Sequence, residues 1–230
     1  MNIQGFQRLT LLDYPGKVAC TVFTGGCNLR CPFCHNAPLV LSPAAQRSME
    51  GEVLSYLQKR RGLLDGVCVT GGEPLLQPEL PRFLSAVRAM GYLVKLDTNG
   101  TRPEVVKHLA ESKLIDKAAV DIKAGPDHYS ALAGISAPAI DKVRETVDFL
   151  LHGQLDYEFR TTVVKELHTE EDFREIGQWL KGAKEYYLQA YKDSDGVLKP
   201  GFGSYTLTEL QAFRKILKET ISLVEIRGID

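Results

Sequence analysis

The sequence has few of the features that would fix its class at once. Its 230 residues include five cysteines and one tryptophan, and its formal net charge is −1. A charge so close to zero gives no basis for bulk binding to nucleic acid or to an anionic membrane. The longest apolar run, VACTVF, is too short to cross a bilayer, and no apolar signal-peptide core precedes it. We therefore expect a cytoplasmic protein with no nucleic-acid or membrane partner.

Internal repeats, low-complexity tracts and linkers rich in Gly, Pro or Ser are also missing from the sequence. Hydrophobic residues make up 44% of the chain, which at this length is enough to bury a substantial core. We expect a single domain over 1–230, with its core at about 15–190 and a C-terminal helix and edge strand within about 206–228.

Short apolar runs alternate along the chain with longer stretches of helical spacing. This alternation predicts βαβ units and a parallel sheet, and six units favour an incomplete (β/α)6 barrel over a closed eight-stranded one. The predicted strands are 17–24, 66–70, 92–97, 117–122, 157–164 and 185–190, with an edge strand at 222–228. The predicted helices are 49–62, 78–90, 103–112, 139–152, 169–182 and 206–219.

Because cysteine is scarce, its clustering in GGCNLRCPFCHN (25–36) carries weight. Cys27, Cys31 and Cys34 stand close together, while Cys20 and Cys68 fall inside predicted strands and suit a core. Structural zinc usually takes four ligands in separated pairs, and His35 follows Cys34 too directly to be an obvious fourth. Three thiolates suit a 4Fe–4S cluster with one open iron. A zinc site and a thiol-redox role are the alternatives.

Polar motifs stand where the predicted strands end, which is the functional edge of a β/α barrel. They are TGGEP (70–74), DTNG (97–100), DIK (121–123), FRTT (159–162) and LQAY (188–191). The glycines of TGGEP allow close backbone approach, because no Cβ intrudes. By contrast, we expect His128 and His168 to be solvated loop or cap residues.

The DIK motif places two opposite charges on one strand face. Asp121 and Lys123 are two residues apart, and each would be costly to bury unless it paired with the other or with a ligand. A strand-end salt pair is the alternative. Asp97 and Asn99 also share a face, where ribose hydroxyls, a monovalent cation or an Asx turn are open alternatives. Arg160 could hold a carboxylate or be an edge-strand charge.

The Cys-x3-Cys-x2-Cys spacing after a first strand resembles the radical S-adenosylmethionine (SAM) enzymes. The resemblance implies that SAM chelates the open iron and is cleaved by one electron to methionine and a 5′-deoxyadenosyl radical. It also implies that Phe33 lies near the adenine and that TGGEP receives the methionyl ammonium. The cluster ligands would be Cys27, Cys31 and Cys34. The expected SAM contacts are Phe33, Cys34, His35, Gly71, Gly72, Glu73, Asp97, Thr98, Asn99, Asp121, Ile122, Lys123 and Arg160.

Within that superfamily, CHN, GGEP, DTNG, DIK and HYSALAG (128–134) together resemble the glycyl-radical-enzyme activases. The segment LTLLDYPGKVACTVFTGGCNLRCPFCHN resembles the branch that activates anaerobic ribonucleoside-triphosphate reductase. The resemblance implies a radical SAM oxidoreductase with a protein substrate and with flavodoxin or ferredoxin as electron donor. One departure is Tyr191 and Lys192, where pyruvate formate-lyase activase-like proteins carry a histidine. The alternatives are a 7-carboxy-7-deazaguanine synthase-like enzyme or a zinc-binding interaction module.

Overall fold

The computed structural model describes residues 1–41, 49–134 and 139–229. By their internal contacts, the residues form two compact units. Unit 1 consists of Met1–Asn28, Pro38–Thr98 and Glu104–Ala119. Unit 2 consists of Leu29–Ala37, Asn99–Pro103 and Val120–Asp230. The single domain expected over 1–230 stays a prediction, and each unit is described by itself.

Unit 1 contains the first strands and helices of the chain. Its strands are β1 (Ile3–Thr10), β2 (Ala19–Thr24), β3 (Gly66–Gly71), β4 (Leu93–Thr98) and the first part of β5 (Lys117–Asp121). Its helices are α1 (Ala37–Leu41), α2 (Glu50–Lys59), α3 (Leu80–Ala89) and α4 (Pro103–Glu111), with a short 3₁₀ turn at Pro74–Leu76. The first residue of α1 and of α4 belongs to unit 2.

The longest segment of unit 2 begins at the end of β5 and continues the same alternation of strands and helices. Its helices are α5 (Tyr129–Ala133), α6 (Ala139–His152), α7 (Glu170–Trp179) and α8 (Leu207–Leu217). Its complete strands are β6 (Asp156–Val163), β7 (Glu185–Ala190) and β8 (Leu223–Arg227).

The strands are hydrogen-bonded in the order β1 to β8, and the order does not close on itself. Strand β1 pairs antiparallel with β2. The pairs β2–β3, β3–β4, β6–β7 and β7–β8 are parallel. All six predicted strands from β2 to β7 and the predicted edge strand β8 are present. The α/β class with an open, mainly parallel sheet is therefore confirmed.

Continuous burial explains why the parallel strands were legible in the sequence. The first four residues of β3, Gly66 to Val69, are all buried, as expected for a strand covered on both faces. Cys20 in β2 and Cys68 in β3 are fully buried, which confirms their place in the core. Burial raises the pKa of the Cys20 thiol to about 12, so this thiol stays protonated and inert.

Two elements differ from the sequence-based prediction. Strand β1 was not predicted, because its eight residues alternate poorly and leave the stretch Gln7–Leu9 exposed. The HYSALAG segment lies outside the predicted helices, but it contains the five-residue helix α5. Gly134 ends that helix in the left-handed conformation, with φ +67°, which favours glycine.

The last two helices begin with capping boxes. At the start of α7, the Thr169 side chain accepts from the Asp172 amide while Asp172 accepts from the Thr169 amide. Thr206 and Glu209 repeat this arrangement at α8. Among the helices of the described residues, none has the length and apolar character needed to cross a membrane.

Candidate functional site

The cysteine loop begins in unit 1 directly after β2. There, Cys27 follows Gly26, whose amide donates to the Leu39 carbonyl at 2.8 Å. The Gly26 carbonyl in turn accepts from the Glu73 amide at 2.7 Å. The backbone beside Cys27 is thus tied to the TGGEP loop that follows β3.

The glycines of TGGEP make this close approach feasible. Gly71 has φ +117°, and a Cβ at this position would meet the backbone of Thr24. A Cβ on Gly72 would overlap the Gly26 carbonyl. The space that the glycines leave open is therefore filled by the chain's own backbone, within unit 1. Their predicted contact with SAM stays a prediction.

Glu73 is a buried carboxylate with defined protein partners. Its Oε1 accepts from the Leu75 amide at 3.0 Å and from the Thr98 hydroxyl at 2.8 Å. The first contact caps the 3₁₀ turn and the second ties the end of β3 to the end of β4. The geometry fixes the orientation of Glu73, whose proposed partner is an ammonium group.

Lys95 was missed in the sequence, although it belongs to the DTNG region. Its ammonium lies 2.6 Å from Oδ1 of Asp97, and both side chains are buried in unit 1. The spacing of two residues on a strand, which drew attention to Asp97 and Asn99, also applied to Lys95 and Asp97. The Lys95 ammonium is thus one cation beside Asp97, and the monovalent cation expected there stays a prediction.

Asn99 belongs to unit 2 and forms the Asx turn that was one of its alternatives. Its Oδ1 accepts from the Thr101 amide at 3.0 Å and from the Thr101 hydroxyl at 2.6 Å. The side chain is buried. Its local role is to fix the turn after β4.

The second part of the cysteine loop, 29–37, lies in unit 2 and is anchored along its length. The Cys34 amide donates to the Cys31 carbonyl at 3.0 Å, which brings these two residues onto one turn. The Cys34 carbonyl accepts from the Leu198 amide at 2.9 Å. His35 Nε2 lies 2.7 Å from the Lys192 carbonyl, and its ring packs against Tyr191. The loop is therefore held in place by the segment after β7.

The DIK motif forms the charged centre of unit 2. Asp121 Oδ2 lies 3.1 Å from the Lys123 ammonium, and Oδ1 lies 2.5 Å from Nε of Arg160. The exposed fractions of the Asp121, Lys123 and Arg160 side chains are 30%, 15% and 14%. The group is thus a partly buried triad of two cations and one carboxylate, and Arg160 is no edge-strand charge.

The charges of the triad stabilise one another. Burial alone would raise the pKa of Asp121, but Arg160 and Lys123 outweigh it and hold this pKa far below its usual range. Burial also opposes the charge of Lys123, but the Asp121 carboxylate raises the pKa of Lys123, and negative charge on Cys31 raises it further. Both groups are therefore ionised at neutral pH.

The two histidines that were expected to be solvated behave differently. His128 has an exposed side chain and binds Asp172 at the α7 cap, as expected. The prediction for His168 was wrong, because this residue is fully buried. Its ring contacts Phe33 edge-on at a centroid distance of 6.0 Å. Burial lowers the pKa of His168, so its imidazole stays neutral.

The position after β7 is occupied by a buried tyrosine. The Tyr191 hydroxyl donates to Asp193 at 2.8 Å, and burial raises the Tyr191 pKa to about 12. Tyr191 is thus committed to a hydrogen bond within the 191–201 segment, whose Gly201 amide also donates to Asp193.

Unit 1 also has a groove of about 960 Å³, lined by Leu9, Val18, Tyr56 and Leu63 among others. Val18 precedes β2, and Leu63 lies just before β3. The groove therefore lies at the amino ends of these parallel strands. Functional residues of β/α folds collect at the carboxyl ends, so this groove is separate from the candidate site.

No group of three His, Cys, Asp or Glu side chains within 1–41, 49–134 and 139–229 has the geometry of a metal site. None of the five cysteines forms a disulfide. The cluster assignment therefore depends on the cysteine spacing, the anchored loop, the charge beside Cys31 and the family, and the ligand set stays a prediction.

Residues 21–180 match the model of the radical SAM superfamily. The chain is 31% identical to a protein of Methanocaldococcus jannaschii provisionally described as a glycyl-radical enzyme activating enzyme, over 99% of this chain and 96% of that protein. It is 30% identical over 156 residues to the pyruvate formate-lyase-activating enzyme of Clostridium pasteurianum, over 64% of this chain and 63% of that enzyme.

Among solved structures, Streptococcus suis SuiB bound to its precursor peptide SuiA is similar in fold. The TM-score is 0.71 at 17% identity, with 90% of this chain and 48% of SuiB covered. The chain thus spans about half the length of this structure. Together with the open strand order, the likeness confirms the predicted fold class, an incomplete (β/α)6 barrel of this superfamily's type.

Proposed function

We propose that this chain, which belongs to the radical SAM superfamily, is a glycyl-radical-enzyme activating enzyme. It would hold a 4Fe–4S cluster through Cys27, Cys31 and Cys34 and bind SAM beside Asp121 and Lys123. Its substrate would be a protein, and anaerobic ribonucleoside-triphosphate reductase is the partner we propose. The reaction would take place in the cytoplasm, with flavodoxin or ferredoxin as the one-electron donor.

The observation that carries this proposal is the link from Cys31 to the DIK motif through α5 in unit 2. Cys31 Sγ lies 3.8 Å from the Ala133 carbonyl at the end of α5, and the Tyr129 hydroxyl at the start of α5 donates to the Asp121 carbonyl at 3.3 Å. The same short helix therefore contacts a proposed cluster ligand and the motif that holds the proposed SAM-binding lysine. A structural zinc module has no need for a charged triad beside its thiolates.

The residues present fit an iron–sulfur cluster. Thiolates are its usual ligands, and Cys31 is 6% exposed, which shields its sulfur from bulk water. The Cys31 Sγ lies 3.8 Å from the Ala133 carbonyl, at the end of α5. The backbone of the loop is tied to its surroundings by the Arg30 amide, which donates to the same carbonyl at 3.0 Å. Such anchoring holds two of the proposed ligands in place before the metal binds.

The triad fits SAM because both carry charges of each sign. The methionyl part of SAM has a carboxylate and an ammonium, and its ribose has hydroxyls. Lys123 can donate to a carboxylate or hydroxyl oxygen, while Asp121 can accept from a hydroxyl or an ammonium. Arg160 keeps Asp121 ionised, and the buried Phe33 offers an apolar ring in the same unit.

When bound and reduced, the cluster and SAM would supply the chemistry for removing one hydrogen atom from the substrate, with one electron taken from the cluster and methionine and 5′-deoxyadenosine as products. The bond broken in the substrate would be a glycine Cα–H bond, and the unpaired electron would stay on Cα. The protein's own contribution is to bind, orient and shield these groups. The full-length similarity to the Methanocaldococcus protein supports a protein substrate. The resemblance of the segment LTLLDYPGKVACTVFTGGCNLRCPFCHN to activators of anaerobic ribonucleoside-triphosphate reductase supports that reductase as the partner.

The deciding experiment mixes the reduced, reconstituted protein with SAM and purified glycyl radical enzymes. We expect the doublet electron-spin signal of a glycyl radical on anaerobic ribonucleoside-triphosphate reductase. The signal should be absent when the radical-site glycine of the reductase is replaced by alanine. The Cys34→Ala protein is the matched control, because it keeps every residue of the triad.

A signal on pyruvate formate-lyase alone would keep the activase function and overturn the partner. Cleavage of SAM with no radical on either enzyme, together with formation of 7-carboxy-7-deazaguanine, would overturn the activase function in favour of the small-molecule alternative. Stoichiometric zinc without iron would overturn the radical chemistry itself.

A further inference from the structure

His168 lies in the loop between β6 and α7, outside every motif that pointed to the site. It is fully buried, although histidine in a loop is usually at least partly solvated. Each of its ring nitrogens faces a backbone group. Nε2 lies 2.9 Å from the Lys123 carbonyl. Nδ1 lies 3.1 Å from the Val164 amide nitrogen and 3.3 Å from the Val164 carbonyl oxygen, which also accepts from the His168 amide at 3.0 Å.

The partner of Nε2 defines the tautomer of the ring. The Lys123 carbonyl can only accept, so Nε2 carries the proton and donates to it. In a neutral ring Nδ1 is then an acceptor, and it accepts from the Val164 N–H, whose nitrogen is closer to it than the Val164 carbonyl oxygen. The imidazole is neutral with both nitrogens used. It therefore links the end of β6 to the backbone of the DIK motif.

The hydrogen bond from His168 to the Lys123 carbonyl lies just beyond the end of strand β5. Strand β5 ends at Asp121, and the next contact along the chain is the Ile122 amide, which donates to the Arg160 carbonyl at 2.8 Å. Lys123 follows, and its carbonyl is bound by His168 in place of a neighbouring strand. The backbone from which the Lys123 ammonium extends is thus fixed by an imidazole.

The His168 ring also makes two aromatic contacts. Phe33, between the cysteines of the loop, meets the ring at 6.0 Å with an interplanar angle of 68°. On another side, Phe173 of α7 stacks on it at 6.1 Å and 27°. One side chain therefore contacts both the DIK backbone and the aromatic residue of the cysteine loop, all within unit 2.

We propose that His168 is a positioning residue for the SAM site, which aims Lys123 through the Nε2–H bond. The inference rests on the proposed function only in taking Lys123 as a SAM contact. His168 is neither one of the proposed cluster ligands nor one of the proposed SAM contacts. Its effect should therefore appear in SAM affinity without any loss of cluster.

Two substitutions separate the hydrogen bond to the Lys123 carbonyl from the hydrogen bond with the Val164 amide. In His168→Gln, the amide nitrogen can reach the place of Nε2 and donate to the Lys123 carbonyl, but the bond to Val164 is lost. In His168→Asn, the amide oxygen can accept from the Val164 N–H, but nothing reaches Lys123. Both variants lose the imidazole ring and should have a similarly lowered melting temperature.

The test is anaerobic calorimetric titration of SAM into the reconstituted proteins, with iron content and melting temperature measured in parallel. We expect His168→Asn to weaken SAM binding by about tenfold, which corresponds to about 1.4 kcal/mol. His168→Gln should stay within about threefold of the parent chain, since one neutral hydrogen bond is the difference between them. All proteins should keep the same iron content.

Phe173→Leu is the matched control, because it disturbs the stacking partner of His168 without touching Lys123. It should lower the melting temperature and leave SAM affinity unchanged. Equal weakening in Gln and Asn variants, no weakening in either, or equal weakening in Phe173→Leu would overturn the positioning role. If the parent chain itself bound no SAM, the proposed function would fail, and this inference with it.

Discussion

Replacing Lys123 by alanine is the sharpest test of the site. The substitution removes an ammonium that lies 3.1 Å from Asp121 and leaves Asp121 paired with Arg160 at 2.5 Å. Asp121 therefore stays ionised in the variant, and no buried carboxylate is left alone. The fold should tolerate the change, so an effect on SAM binding would report the contact of Lys123 itself.

The expected magnitude follows from the type of contact. A hydrogen bond to a charged group contributes about 1.5–3 kcal/mol. This range corresponds to roughly a ten- to hundredfold increase in the dissociation constant for SAM. The alternative, a salt pair with no role in binding, predicts a change in stability of about 1 kcal/mol or less and no change in affinity.

The assay is anaerobic calorimetric titration of SAM into the reconstituted Lys123→Ala protein, with iron counted in the same sample. Lys142→Ala is the control, since Lys142 lies on α6 with an exposed side chain paired to Glu145. The control should bind SAM normally. Unchanged affinity in Lys123→Ala would refute the assignment, and a parallel loss of iron would show that the variant disturbs the cluster rather than the SAM contact.

Three other outcomes are expected. Anaerobically reconstituted protein should hold about four irons and four sulfides per chain, and zinc without iron would contradict the assignment. Alanine at Cys27, Cys31 or Cys34 should abolish this cluster, whereas Cys68→Ala should keep it. Brief exposure to air should bleach the cluster and end activity, because one iron lacks a thiolate, and unchanged absorption and activity would count against the open site. The hydrogen bond to Asp172 raises the pKa of His128, so this pair stabilises the fold fully below about pH 6.5 and loses its effect as the pH rises through the raised pKa. The difference in melting temperature between the parent chain and His128→Gln should therefore be larger at about pH 6 than at about pH 9. A difference that grew with pH would contradict the pairing of His128 with Asp172.

The parallel strands could be predicted because two covered faces leave a direct trace in the sequence. The buried stretches Ala118–Val120 of β5 and Gly66–Val69 of β3 are each a continuous small or apolar run. Strand β1 leaves no such trace, since it lies at an edge and exposes part of its length. Helix α5 has five residues, too few to establish a helical period.

The parts of the site that depend on the spacing of residues close in sequence were predictable. Asp121 and Lys123 share a face because strand side chains alternate, and that relation needs no tertiary knowledge. Arg160 is different, because it reaches Asp121 only through the alignment of β6 beside the end of β5. His168 is further removed, since its burial depends on α7 and the cysteine loop packing around it. Contacts set by strand register or loop packing leave no periodic signal in one sequence.

The triad also explains how a lysine can be stable in the fold and still be available to a ligand. Two cations contact the one Asp121 carboxylate. Arg160, through its 2.5 Å contact, is the closer of the two and the larger contributor to the lowered pKa of Asp121. The ammonium of Lys123 has three donors, and a single contact to Asp121 leaves further donors for an incoming carboxylate or hydroxyl. In an isolated Asp–Lys pair, the lysine could reach a ligand only by giving up its contact with the aspartate. That movement would leave a partly buried carboxylate without a partner. The arginine removes that conflict, so binding SAM at Lys123 need not break the electrostatic balance of the strand end.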